Sequence, residues 1–247
     1  MRWLRLLAKI AVGVVVVLAF AFAALQTPPG KRAVASLVSD LMTTPDGGLE
    51  IAGLHGFFPT DLTVERLVYR DRDGPWMTAD NLRLRWSFAS LLVRRLRIEI
   101  LSADRLAVVR QPQLSAAPDT NKSSAPLTLP LEVDLLDLSI ADLHLGAALA
   151  GIDSRWKIAG NAHLPADLVQ GRLVFDGMRI DGPTGKFSAD VRFDARQKSV
   201  DGQVSLNEQR GGVVAALLER PDIENLSIHL GARGECLLRQ DCRSRIR

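Results

Sequence analysis

The residues able to do chemistry are few and scattered. No phosphate-binding glycine loop, nucleophile elbow or zinc signature occurs in the chain. His55, His144, His163 and His229 each alternate with apolar neighbours or lie near a turn. Such positions suit outward-facing or turn histidines better than ligands. Asp71 and Asp73 invite a cation reading, but no further carboxylates follow at calcium-loop spacing, and Asp71-Arg72-Asp73-Gly74-Pro75 reads as a turn. Asp134 and Asp137 have no acid–base partner visible in the sequence. Cys236 and Cys242 both fall in the last twelve residues, and no cysteine framework exists elsewhere. The expectation is a protein without catalytic, cofactor or metal residues, and not an enzyme.

What remains is the pattern of the elements themselves. Phe187–Asp194 reads Phe-Ser-Ala-Asp-Val-Arg-Phe-Asp, apolar at every odd position and polar at every even one. A strand sends successive side chains to opposite faces, so this stretch has one apolar and one wet face. The pattern recurs at Leu49–Leu54, Leu62–Tyr69, Met77–Trp86, Leu96–Leu101 and Leu106–Val109. It continues at Leu131–Ile140, Leu143–Leu145, Trp156–Leu164, Gly171–Phe175, Met178–Ile180, Val200–Leu206 and Leu226–Ala232. At Leu135-Leu136 the alternation slips by one residue, which predicts a bulge or a turn. Short helices are expected over Lys31–Met42, Ser87–Arg94 and Gly211–Arg220. In the first, Val34, Leu37, Val38 and Leu41 form an apolar stripe fit to cap the first sheet edge. Ser87 is a candidate N-cap.

The formal charge of +3 is mild, and basic residues alternate with acids along the strands, so no nucleic-acid patch is present. The N-terminus differs from everything after it. Arg2, Arg5 and Lys9 precede an uncharged run from Ile10 to Gly30, and the first acid is Asp40. A helix from Leu4 to Gln26 spans roughly 34 Å at ~1.5 Å per residue, enough for a ~30 Å hydrocarbon core. Pro28, Pro29 and Gly30 end it. The basic flank assigns the remainder to the non-cytoplasmic side. An uncleaved signal anchor is favoured over a cleaved signal peptide, for which Ala19-Phe20-Ala21 and Ala21-Phe22-Ala23 offer sites.

These features divide the chain into an anchor at 1–30, a first β-groove segment with capping helix at 31–113, a flexible linker at 114–126, a second β-groove segment at 127–232 and an atypical tail at 233–247. The linker is small, polar and proline-containing. The tail breaks every periodicity and carries five arginines with both cysteines. It reads as a disulfide loop, a basic tail or, as favoured here, the out-of-frame end of a truncated reading frame. The fold class is mainly β: a transmembrane helix, then a curled, elongated sheet. The few helices cannot cover about a dozen one-sided strands, so the sheet either folds on itself or leaves an apolar trough. Candidate lining residues are Leu82, Leu84, Trp86, Ile98, Ile100, Phe187, Val191 and Phe193.

Over roughly residues 1–232 the chain resembles the N-terminal part of the TamB family, within the AsmA-like proteins. The resemblance rests on the anchor followed by Ile51-Ala52-Gly53-Leu54-His55-Gly56-Phe57-Phe58-Pro59, then Leu62–Asp73 with Gly74 and Trp76. It continues through Asn81-Leu82-Arg83-Leu84-Arg85-Trp86-Ser87 and Leu91–Leu106 to Arg110-Gln111-Pro112. It implies a single inner-membrane helix and a periplasmic β-groove with an apolar interior. The implied role is phospholipid movement between inner and outer membranes, with autotransporter and outer-membrane protein assembly alongside TamA, an Omp85-type barrel. Family members are far longer. Ten to twelve strands at ~4.8 Å give roughly 50–60 Å, an incomplete bridge, and the TamA-docking region is expected to be absent. The alternative function is a scaffold that holds a client strand by β-augmentation.

Overall fold

The computed structural model describes residues 19–44, 47–113, 131–166, 169–194, 199–217 and 225–235, the last run by its backbone only. Residues 19–26 are helical, and helix α1 (Pro28–Met42) follows a bend at Thr27. The Thr27 side chain accepts a hydrogen bond from the Gly30 amide, and Pro28 sits in the first turn, where no amide is needed.

Ten strands make one sheet in strict chain order: β1 (Gly47–Phe57), β2 (Asp61–Asp71), β3 (Gly74–Ser87), β4 (Arg95–Val108), β5 (Glu132–Leu145), β6 (Ser154–Leu164), β7 (Gln170–Arg179), β8 (Gly185–Asp194), β9 (Ser199–Gln209) and β10 (Asn225–Glu235). Single-turn helices α2 (Phe88–Leu91), α3 (Ala147–Ala150) and α4 (Val213–Leu217) sit in connections. Neighbouring strands are antiparallel except β4 and β5, which run parallel on either side of the 114–130 segment. β1 and β10 do not pair, so the sheet is unclosed. Nine spacings of about 4.8 Å give a sheet about 43 Å across.

Three pairs of strands expected as separate pieces are continuous. Leu96–Leu101 and Leu106–Val109 merge in β4, Leu131–Ile140 and Leu143–Leu145 in β5, and Gly171–Phe175 and Met178–Ile180 in β7. The expected slip at Leu135-Leu136 is a bulge. Leu135 faces Ala162 and Leu138 faces Gly160, three residues against two. Ser87 occupies the N-cap of α2 without a side-chain cap; its carbonyl instead accepts from Ser90 Oγ at 2.6 Å.

α1 lies along β1 but does not bury the expected stripe. Ala35 is its buried residue, whereas Leu37, Val38, Leu41 and Met42 are exposed. Among the described residues no helix is long and apolar enough to cross a membrane, and most of the expected anchor, residues 1–18, lies outside them. The linker expectation at 114–126 and most of the tail, with Cys236 and Cys242, also fall outside the described residues.

Candidate functional site

The apolar faces of the strands line up through the register. Across β6–β9 they form four rungs. These are Ile158–Gly177–Phe187–Leu206, Gly160–Phe175–Ala189–Val204, Ala162–Leu173–Val191–Gly202 and, from β7 onward, Gly171–Phe193–Val200. In each rung the bulk sits beside a glycine or alanine. A Cβ on Gly177 would lie 1.9 Å from the Phe187 ring, and one on Gly171 would lie 2.3 Å from that of Phe193. The glycines are therefore seats for neighbouring rings, which lie down over the sheet instead of standing off it. Trp156 closes the first rung, edge-on to Phe187 at 5.8 Å, with its indole N–H donating to Ser154 Oγ at 3.1 Å.

In β1–β5 the same face is kept by a different device. Val64 and Leu67 are half-buried while Glu65 and Arg66 between them are both exposed. Asp104 and Arg105 interrupt Ala103 and Leu106 in the same way, as Leu136 and Asp137 interrupt Leu135 and Leu138. At each place two adjacent residues leave the apolar face and its parity reverses. Gly53 (φ 66°) and Asn81 (φ 51°) flank Glu65 on the neighbouring strands and supply left-handed backbone for the reversal.

The reversals carry a ribbon of charge. Arg66, Asp80, Arg105 and Asp142 are successive register partners across β2–β5. Arg66 Nε reaches Asp80 at 2.9 Å and Arg105 Nε reaches Asp142 at 3.2 Å. Arg155 of β6 donates to Asp142 through both Nε, at 2.8 Å, and Nη2. Asp142 is buried, and the hydrogen bonds from Arg155 and then Arg105 hold its carboxyl below the usual carboxylate range.

Asp71 is held by Arg110, whose Nη1 lies 2.7 Å from Oδ2. Arg110 and the amides of Gln113 and Asp73 push the Asp71 carboxyl far below its ordinary value. The turn reading of Asp71 and Asp73 holds: the Asp73 amide donates to Asp71 Oδ1 at 2.9 Å, closing the β2–β3 hairpin.

The lining candidates fall on this face with one displacement. Leu82 faces Val64, Leu84 faces Leu62 and Leu101, and Trp86 faces Ile98, which is followed by Leu135. A bulge at Glu99 puts Ile100 opposite Arg85, so at that rung Leu101 stands in the apolar row. Phe187, Val191 and Phe193 sit in the rungs described above.

No second layer among the described residues covers the face. Among the described residues only Trp156 and Ile158 are buried large apolar side chains; the other buried apolar residues are alanines. The Leu, Val and Phe residues of the rungs are half-buried, and Val200 and Val204 are exposed. The opposite face is wet, with cross-strand pairs such as Arg83–Asp61 at 3.1 Å, Arg85–Glu99 at 2.8 Å and Arg172–Asp190 at 2.7 Å. Arg83 and Arg172 lower the carboxyl pKa of Asp61 and Asp190.

Three histidines meet acids that the sequence reading did not connect. His55 lies 2.7 Å from Glu65, His144 3.3 Å from Asp153 and His163 2.5 Å from Asp134. Glu132, Asp134 and His163 together have ligand-type atoms within 4.8 Å of one another. Arg95 already stands 3.1 Å from Glu132 and 3.5 Å from Asp134, so the cluster has its own cation. Cross-strand register assembles these pairs, and separations of 9, 10 and 29 residues conceal them in sequence.

A family model described as TamB, N-terminal domain, matches residues 15–157, more than half of the chain. No curated protein and no solved structure matches it. The matched stretch covers α1 and β1 through to the start of β6, and the chain belongs to the TamB family through this N-terminal domain.

Proposed function

We propose that the uncovered apolar face is a lane for phospholipid acyl chains, moving lipid between the inner and outer membranes without catalysis. One observation carries this reading: an apolar face crosses the unclosed sheet while its large side chains stay half-exposed. A soluble domain of this size ordinarily hides such residues under a second layer. An acyl chain laid along the rungs gains about 0.8 kcal/mol for each methylene it removes from water, with no polar anchor required. Headgroups remain at the open mouth of the trough. The family's general association with outer-membrane assembly and lipid transport agrees with this use. In the proposed setting the N-terminal segment anchors the chain in the inner membrane, the sheet lies in the periplasm, and a TamA-like barrel is the family's outer-membrane partner.

The test is native mass spectrometry of the full chain extracted from membranes. Masses of one or more phospholipids on the chain are the expected result. A chain that is lipid-free in mild detergent, across several lipid compositions, overturns the reading. β1 and β10, which have a strand neighbour on one side only among the described residues, favour the second reading, a scaffold for outer-membrane proteins. Co-extracted client polypeptide in place of lipid would establish it.

A further inference from the structure

Both ends of the sheet expose apolar side chains, Val109, Ile180 and Leu217 among them at the far end. The more exposed ones sit at the end where residues 19–26 arrive, in a lip built from the β1–β2 and β3–β4 connections. Leu92 and Val93, at the tip of the β3–β4 connection, are 82% and 72% exposed, and Phe88 in the same connection and Phe57 at the end of β1 are exposed too. The two connections are fastened to each other. The Trp86 indole N–H donates to the Pro59 carbonyl at 2.6 Å, and its ring lies 6.0 Å from that of Phe88. They are also fastened to the N-terminal helix. Gln26 Nε2 donates to the Phe58 carbonyl at 2.6 Å, its Oε1 accepts from the Phe58 amide at 3.0 Å, and Phe22 meets Phe57 edge-on at 5.8 Å.

Beside the β3–β4 connection the ion pairs leave positive charge to spare. Asp61 is taken by Arg83, and Glu132 and Asp134 are taken by Arg95. Arg94 and Arg97 are exposed and form no ion pair among the described residues. Exposed aromatic and aliphatic side chains beside arginines that form no ion pair among the described residues are the composition of an interfacial membrane contact. Water gives no reason to leave Leu92 and Val93 at a tip; a headgroup region does.

From this we infer that the β3–β4 lip (Phe88, Leu92, Val93 and Arg94, with Phe57) seats in the headgroup layer of an anionic bilayer. It does so beside the point where the N-terminal segment enters. The inference rests on reading that segment as a membrane anchor. It adds to the conduit a seal: Leu84 and Trp86, immediately behind the lip, begin the apolar rows at the membrane surface. Lipid could then pass from leaflet to trough without crossing open water.

The test uses the full chain, with Cys236→Ser and Cys242→Ser, reconstituted in vesicles of phosphatidylethanolamine with a minor fraction of phosphatidylglycerol. An environment-sensitive fluorophore is attached through Leu92→Cys or, at the opposite end of the sheet, through Ile180→Cys. Shallow spin-labelled lipid is expected to quench the probe at 92 and spare the probe at 180. Arg94→Gln, which keeps the same backbone demand, is expected to lower the docked-to-undocked ratio about fivefold in these vesicles and to leave it unchanged in neutral phosphatidylcholine. Equal quenching at 92 and 180, or a water-exposed probe at 92, overturns the inference. Bound lipid masses with an unprotected lip overturn the docking alone; a protected lip on a lipid-free chain overturns the conduit alone.

Discussion

Strands β6–β9 keep one parity from end to end, whereas each of β1–β5 changes parity at least once. Both regions nevertheless present one apolar face. In β6–β9 the constraint is steric: glycines at 171 and 177 make room for Phe193 and Phe187. In β1–β5 it is local: pairs of adjacent exposed residues turn the strand over, and a ribbon from Arg66 to Asp142 ties the reversals together. The difference teaches that an unbroken face does not require unbroken alternation. A row of bulges in register with one another preserves it equally well.

The largest effect is expected where the two regions meet. Asp142→Ala removes three charge-assisted hydrogen bonds from the half-exposed Arg105 and Arg155, and should lower stability by about 2–3 kcal/mol in urea unfolding. A shift in midpoint no larger than that of an exposed-site control would show that the charge ribbon does not hold the seam. Next is Gly177→Ala, expected to cost about 2 kcal/mol because the new methyl occupies the seat of Phe187. Gly202→Ala is its control: a Cβ there meets nothing closer than 3.5 Å, so it should be close to neutral. Equal costs at 177 and 202 would break the steric account of β6–β9.

Gly53→Ala should cost about 1 kcal/mol, through left-handed backbone and a clash with Glu65. Its mate across Glu65, Asn81→Gly, relieves the left-handed backbone but loses the hydrogen bond from Asn81 Nδ2 to Asp104 Oδ2 at 2.9 Å, and should be close to neutral. A pH dependence is expected in the β2–β3 hairpin. The Asp71 carboxyl is depressed in the folded chain, so its contribution is complete above the ordinary carboxylate range. That contribution disappears as pH falls from that range through the lowered value. Arg110→Gln should therefore destabilise at neutral pH, and the gap to the unsubstituted chain should close through the same window. An NMR titration of Asp71, rising back toward its ordinary value in the variant, checks the cause.

Much of this was legible. Alternation identified nearly every strand, the bulge at Leu135-Leu136 announced itself as a slip, and Asp71–Gly74 read as a turn. Other features were hidden for physical reasons. The parity reversals in β4 and β5 look like strand ends to any period-two reading, which is why two long strands were expected as four short ones. The signal was present: Val64-Glu65-Arg66-Leu67, Ala79-Asp80-Asn81-Leu82 and Ala103-Asp104-Arg105-Leu106 each place two polar residues between apolar ones. Ile100 was misplaced in the apolar row by the same mechanism, because the bulge at Glu99 is visible only once β3 is beside β4. The ion pairs of His55, His144 and His163 depend on register between strands, which a single sequence does not carry. The apolar stripe of α1 suggested a cap on the sheet edge, but the helix packs through its small residue Ala35 and leaves Leu37 and Leu41 outside.

The central claim is that the apolar face, and not its reverse, holds lipid. A photo-crosslinking residue placed at Phe193 or at Arg192 in the full chain in cells tests it directly, since the two positions are adjacent and face opposite ways. Phospholipid adducts are expected at position 193 and essentially none at 192. Equal adducts at the two positions would contradict it.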